Sequence, residues 1–248
     1  MLRLYTFSMS HFSEKIRWAL DYAGLAYQEV RWTPTLHLVP ALLKGRKGTT
    51  VPILQTPQGY VQDSTAILLW LERNCAPFPL IPADGVLRKR ALHWESHMDR
   101  LGVHVVRLAY AHAFGHPDYV RRLWTLDASP AQKLLVRGSY PLSRRAFARH
   151  LNLSDAAVQA STRKISQGLA ALQTQLQRGG PYLFGPQFGV AELSTAALLA
   201  PLACPPEHPV YGRAEHRQVL APLLDRWDQH PGMHWVRRMY REHRRARA

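Results

Sequence analysis

The chain has 248 residues, 46% of them hydrophobic, and carries 32 Lys and Arg against 17 Asp and Glu, a formal net charge of +15. That length and apolar content allow one large domain or two ordinary ones, and no apolar run reaches the ~18 residues needed to span a bilayer. The N-terminus lacks a charged segment followed by a long apolar stretch, and the two cysteines, Cys75 and Cys204, form no short motif, so a soluble protein of a reducing, cytoplasmic compartment without a disulfide framework is expected. Residues 1–82 hold 8 basic and 5 acidic side chains, so nearly all of the positive excess falls on the remainder. Such asymmetry suggests two units with different surfaces, and it favours anionic partners: small acids, nucleic acid or acidic lipid.

Taken in chain order, LRLYTF (2–7) reads as a strand rich in β-formers. From His11 to Ala23 the apolar set Ile16, Leu20 and Ala23 recurs at helical spacing, and Gly24 stops it. AYQEVRW (26–32) reads as a second strand, followed by a helical stretch interrupted near Pro40. VPILQT and a short YVQ strand flank a PQG turn, after which Ser64 is placed to cap the apolar helix TAILLWLERNC. This order gives a β-α-β unit and a hairpin, hence a four-stranded mixed sheet. The proline-rich stretch APFPLIPADG reads as a linker, and everything beyond it as helical. The expected division is residues 1–78, a linker over 79–86 and an all-helical domain over 87–248. Residues 117–150 are the least patterned, with Pro117, Pro130 and Pro141 breaking the helical period. Trp94, His97, Leu101, His104 and Leu108 share one face of the long helix before them, and this face is read as the floor of a substrate pocket. His93, His97 and His104 have a spacing that could bind metal, but no metal is expected. The C-terminal VRRMYREHRRARA, with six arginines and one glutamate, reads as a frayed, solvated end.

The chemistry-bearing stretch is SHFSEKIRWAL. Ser10 and Ser13 stand at the spacing of a redox C-x-x-C pair but carry no sulfur, so dithiol chemistry is excluded at these positions, and one answer is that a thiol arrives with the substrate. A hydroxyl donor and the positive end of a helix both stabilise a thiolate. Ser10 is equally well read as a plain helix cap, and Ser8 and Tyr5 are rival donors. Ser13 reads as structural. His11, next to Ser10 on a helix, does not face it. Asp63 and Ser64 precede the third helix, whose free N–H groups make an anion site.

SHFSEKIRWALDYAGLAYQEV, TVPILQTPQGYVQDSTAILLWLE and YLFGPQFGVAELSTAALLAPL together resemble the cytosolic glutathione S-transferase superfamily, most closely its bacterial members with a serine at the catalytic position. The resemblance implies a thioredoxin-like N-terminal domain, an all-α C-terminal domain and a homodimer. It further implies a transferase that binds glutathione as co-substrate, with Ser10 stabilising the thiolate for attack on an electrophilic small molecule. Val51, before a cis Pro52, is implied to hold the cysteinyl part, and Asp63 and Ser64 the γ-glutamyl part. A cation from Lys44, Arg46 or Lys47, with Lys47 the choice, takes the glycyl carboxylate. The alternative is a non-catalytic glutathione- or partner-binding module of the same fold. Neither a membrane nor nucleic acid is an expected partner. The box GVAE (189–192) departs from the family's Ser/Thr-x-x-Asp, and is read as folding support in which Glu192 reaches back to Gly189.

Overall fold

A computed structural model describes residues 1–45 and 48–244. The first half has strand β1 (Leu2–Thr6), helix α1 (His11–Tyr22), strand β2 (Tyr27–Arg31), helix α2 (Leu38–Gly45), strands β3 (Ile53–Thr56) and β4 (Gly59–Gln62), and helix α3 (Ser64–Asn74). The strands form one sheet in the order β2-β1-β3-β4. β1 and β2 are parallel, with Leu2 opposite Tyr27, as a helical crossover requires. β3 and β4 are antiparallel around the turn at Pro57 and Gln58. The thioredoxin-like sheet expected from the sequence is therefore present, followed by a helical second domain.

Seven helices follow: α4 (Gly85–Ala113), α5 (Pro117–Trp124), α6 (Pro130–His150), α7 (Asp155–Gln177), α8 (Val190–Ala203), α9 (Ala214–Leu224) and α10 (Pro231–His243). The stretch that lacked a pattern holds two of them. Pro117 and Pro130 do not break helices; each sits in the first turn of one, where no intrahelical N–H is needed. Only Pro141 lies inside α6.

All 14 residues of α8 are buried, and the helix packs against α1, α4 and α10. Its alanines let these neighbours approach, and on α4 a Cβ at Gly102 would come within 3.0 Å of Phe12 and 3.1 Å of Leu198. Residue 189 is glycine for the same reason: a Cβ there would lie 2.9 Å from the Leu80 carbonyl oxygen, which accepts a 2.7 Å bond from the Val190 N–H. The segment between α3 and α4 is thus stitched to the head of α8, with Leu80 and Ile81 buried. Glu192 does reach back as expected, accepting from the Gly189 N–H at 2.9 Å and from the Leu183 N–H at 2.7 Å.

The C-terminal reading is corrected for residues 236–244, and 245–248 lie outside the described residues. Met239 and Tyr240 of α10 are fully buried, and Arg244 pairs with Glu14 at 2.7 Å and Asp21 at 2.9 Å on α1. The arginines of this segment are spaced so that its apolar residues share one face, and that face docks.

Candidate active site

β1 ends at Thr6, and a turn closed by the Ser10 N–H donating to the Phe7 carbonyl (3.1 Å) delivers the chain to the head of α1. Ser10 is the N-cap, in extended conformation, and its Oγ accepts the Ser13 N–H at 3.1 Å. A hydroxyl has one donor and two acceptor positions. The cap uses one acceptor position, so capping and donation to an anion, alternatives in the sequence, are compatible in the structure.

Ser10 is half-buried and opens on a cleft of ≈ 410 Å³. On its side the wall includes Phe7, Phe12, His37 and Val51; the facing wall is Val106 and Tyr110 of α4 with Ser143, Phe147 and His150 of α6. The rival donors are committed elsewhere. Tyr5 donates to Gln55 Oε1 at 2.8 Å, and Ser8 donates to Asp127 at 2.5 Å in a separate polar groove. The Ser13 hydroxyl is buried without a hydrogen-bond partner and does not reach the cleft.

His11 does not act on Ser10. Its Nε2 lies 3.0 Å from the Gly102 carbonyl, and burial pushes its pKa down to about 4, so a neutral ring donates to that carbonyl and ties the head of α1 to α4.

The Val51–Pro52 peptide is cis, as expected from the sequence. Val51 lines the cleft and Pro52 is buried. The reading of α3 is corrected. Its N-cap is Asp63, whose carboxylate accepts the Ala66 N–H at 2.9 Å, and Ser64 is the first helical residue. Asp63 holds φ at 91°, a left-handed conformation that is costly for a side-chain-bearing residue. Ser64 is buried and its hydroxyl is shared within the protein: it accepts from Lys15 Nζ (3.2 Å) and donates to Asp99 (3.2 Å). Lys15, fully buried, also binds Asp99 at 2.7 Å and Glu95, and so joins α1, α3 and α4. Asp63 and Ser64 stand outside the wall of the 410 Å³ cleft. Lys47 and Arg46 lie outside the described residues. Lys44 Nζ sits 5.2 Å from the ring centres of both Tyr5 and Tyr60.

The expected pocket floor on α4 is overturned. Trp94 donates to Thr195 at 2.9 Å, Leu101 and Leu108 are core, and His104 bonds Ser161 at 3.0 Å. That face packs on α7 and α8, because the chain's most apolar helix needs a partner along its whole length; the cleft is lined by the neighbouring face, at Val106 and Tyr110. Among the described residues no group of three His, Cys, Asp or Glu side chains could hold a metal ion.

Sequence reasoning missed His37 and the α6 residues. His37 is only 9% exposed, its Nε2 is 2.9 Å from the Thr49 carbonyl, and burial lowers its pKa. A carbonyl only accepts, so Nε2 carries the proton and Nδ1 is left as an acceptor without a partner. Tyr110 accepts the indole N–H of Trp124 at 3.0 Å, and burial pushes its pKa up to about 12, keeping the phenol protonated.

A thioredoxin-like sheet with a hydroxyl at the head of its first helix, followed by helices that close the cleft, defines a thioredoxin-like sheet plus all-helical class of fold. Residues 4–78 match the family model described as glutathione S-transferase, N-terminal domain. Glutathione S-transferase 1 of Dianthus caryophyllus is 27% identical over 198 residues, 79% of this chain and 74% of that protein. A glutathione S-transferase from Methylobacillus flagellatus, solved with GSH bound, superposes with a TM-score of 0.65 at 15% identity, over 98% of this chain and 95% of the other. One from Methylobacterium radiotolerans, in complex with glutathione sulfonate, gives 0.59 at 22% identity, over 94% and 92%. Residues 4–78 thus match a glutathione S-transferase N-terminal domain, and the chain as a whole has the fold of these solved structures.

Proposed function

We propose that the protein is a glutathione transferase in which Ser10 holds the thiolate of glutathione for attack on an electrophilic small molecule. The observation that carries this reading is the Ser10 hydroxyl: it heads α1, keeps its donor position free of the cap, and opens on an aromatic-lined cleft from which Tyr5 and Ser8 are turned away. In this reading Val51 pairs with the cysteinyl part, Pro52 shapes the strand entry, and Asp63 with the Ser64 backbone takes the γ-glutamyl part. Lys47 takes the glycyl carboxylate. The likeness to the family supports a homodimer working in the cytoplasm in detoxification, and domain boundaries near residues 78 and 86.

Lowering a thiol pKa by about two units requires about 2.7 kcal/mol of preference for the anion. A hydrogen bond to a charged group contributes about 1.5–3 kcal/mol and a helix N-terminus about 0.3–1, so the hydroxyl carries most of it. The cleft adds proximity, its two walls holding thiolate and electrophile together. Ser10→Ala is expected to cut kcat/KM with a general electrophile by about 10- to 100-fold and to raise the bound-thiol pKa, with glutathione affinity changed only a few-fold. Unchanged turnover and thiolate absorbance would remove Ser10 from the mechanism; tight glutathione binding without turnover in the parent protein would establish a binding module instead.

A further inference from the structure

Among the described residues twelve large apolar side chains are exposed, and seven of them stand on two helices. On α6 these are Leu134 (71% exposed), Leu135 and Leu142 (71%); on α2 they are Leu38, Val39, Leu42 and Leu43 (75%). Single exposed apolar residues are ordinary, but a concentration of them marks a contact surface. Leu38 of α2 and Phe147 of α6 both line one cleft.

The charge on α6 is as one-sided as its apolar face. It carries Lys133, Arg137, Arg144, Arg145 and Arg149 and no acidic residue. Arg144 is occupied with Phe114, through the carbonyl and the ring. Among the described residues Lys133, Arg137, Arg145 and Arg149 have no acidic partner. Lys133 with Arg137, and Arg145 with Arg149, are also spaced i, i+4, where like charges repel. Lys133 and Arg137 line a groove of ≈ 330 Å³ with Arg121 and Arg122 of α5, which are themselves paired with Asp118 and Glu215. A helix that shows both leucines and unpaired cations to water calls for a partner that is apolar and anionic at once.

We propose that the exposed face of α6 is a docking surface for an anionic lipid bilayer. The leucines enter the boundary of the acyl region and the arginines meet lipid phosphates. No described helix is long and apolar enough to cross a membrane, so the docking is peripheral. A second copy of the chain is a poorer occupant, because a symmetric contact sets this all-cationic helix against itself. A nucleic acid would use the cations and leave the leucines in water.

The test is co-sedimentation of the full-length protein with vesicles of phosphatidylcholine containing phosphatidylglycerol, against phosphatidylcholine alone, at low and high salt. Binding is expected to the anionic vesicles and to weaken with salt. The double variants Arg145→Glu/Arg149→Glu and Leu134→Ser/Leu142→Ser, all at exposed positions, should each lower the apparent vesicle affinity at least about tenfold. Glutathione binding, measured in parallel on the same samples, should not move. No sedimentation with anionic vesicles overturns the proposal. So does loss in the arginine variant alone, which identifies an anionic polymer or an acidic protein as the occupant. A parent dimer that the leucine variant converts to monomer assigns the face to a second copy instead.

Discussion

Helices α8 and α6 both support the candidate site and are built on opposite terms. α8 has 14 residues and buries every one; α6 has 21 and buries only Val136 and Tyr140. The wall that bears Ser10 is fixed to α8, since α1 packs on it and His11 ties the head of α1 to α4. The opposite wall, at Phe147 and His150, rides on α6, whose packing against the rest is slight. On the proposed reading, the hydroxyl that holds the thiolate is mounted on the most buried part of the molecule, and the surface that meets the co-substrate on the least. Rigid placement suits electrostatic stabilisation of a thiolate, which loses value if the donor must reorganise.

The sharpest way to break this contrast is to shorten one leucine in α8. Leu199 is 1% exposed and surrounded by helices that cannot all relax toward it. Leu199→Ala is expected to cost about 2–5 kcal/mol, read as a lowered urea midpoint with an unchanged slope. A loss of a few tenths would mean that α8 is not the rigid support described.

The next largest effect comes from the ion cluster by which the C-terminus clamps α1. Burial by itself would raise the Glu14 carboxyl, but Arg244 and Arg17 outweigh it and hold its pKa down to about 2 from 4.5. An acid whose folded pKa is depressed contributes stability that is present above the unfolded value and disappears as pH falls through the folded one. Glu14→Gln should therefore be less stable than the parent by about 3 kcal/mol at neutral pH, and the difference should close between about pH 5 and pH 2. A difference independent of pH would show that packing of the side chain, not its charge, secures the clamp.

The same contrast explains which parts of the molecule were legible in the sequence. The sheet half announced itself because each element is bounded by turn residues and shows one clean period: Gly24 after α1, the PQG turn between β3 and β4. Ser10 and Val51 could be found because helix caps and X-Pro steps have local chemistry. Asp63 and Ser64 were located, but their division of labour was not, because the capping role depends on a backbone φ of 91° and Ser64 is claimed by Lys15, 49 positions away. His37 carries no local signal at all; only its bond to the Thr49 carbonyl and the cleft beside it make it notable. In α4 the apolar pattern picked out one face and assigned it to the cleft when it meets the core, since periodicity cannot say which of the two a face meets. α6 failed for a further reason: with two buried residues it has almost no inward stripe to detect, and prolines at helix starts imitate breaks.

The smallest predicted effect tests the loosely packed side directly. Tyr140 is the one aromatic of α6 that is fully engaged with the core, its ring 5.7 Å from that of Trp124 and under the Arg121 guanidinium at 5.6 Å. Its hydroxyl is buried with no hydrogen-bond partner, and burial raises its pKa, so the group remains a phenol and brings no compensating bond. Removing an unsatisfied polar atom relieves a desolvation cost while leaving the ring contacts in place. Tyr140→Phe is therefore expected to change stability by no more than about 0.5 kcal/mol, in the stabilising direction. Tyr110→Phe deletes the same atom from the α4 side of the cleft but strands the Trp124 indole N–H that it accepts, so it should cost about 1–3 kcal/mol. Measured side by side by denaturant unfolding, the two variants separate the hydroxyl that is part of a network from the one that is not. Equal costs would mean that the Tyr140 oxygen has found a partner, and that α6 is held more tightly than its burial implies.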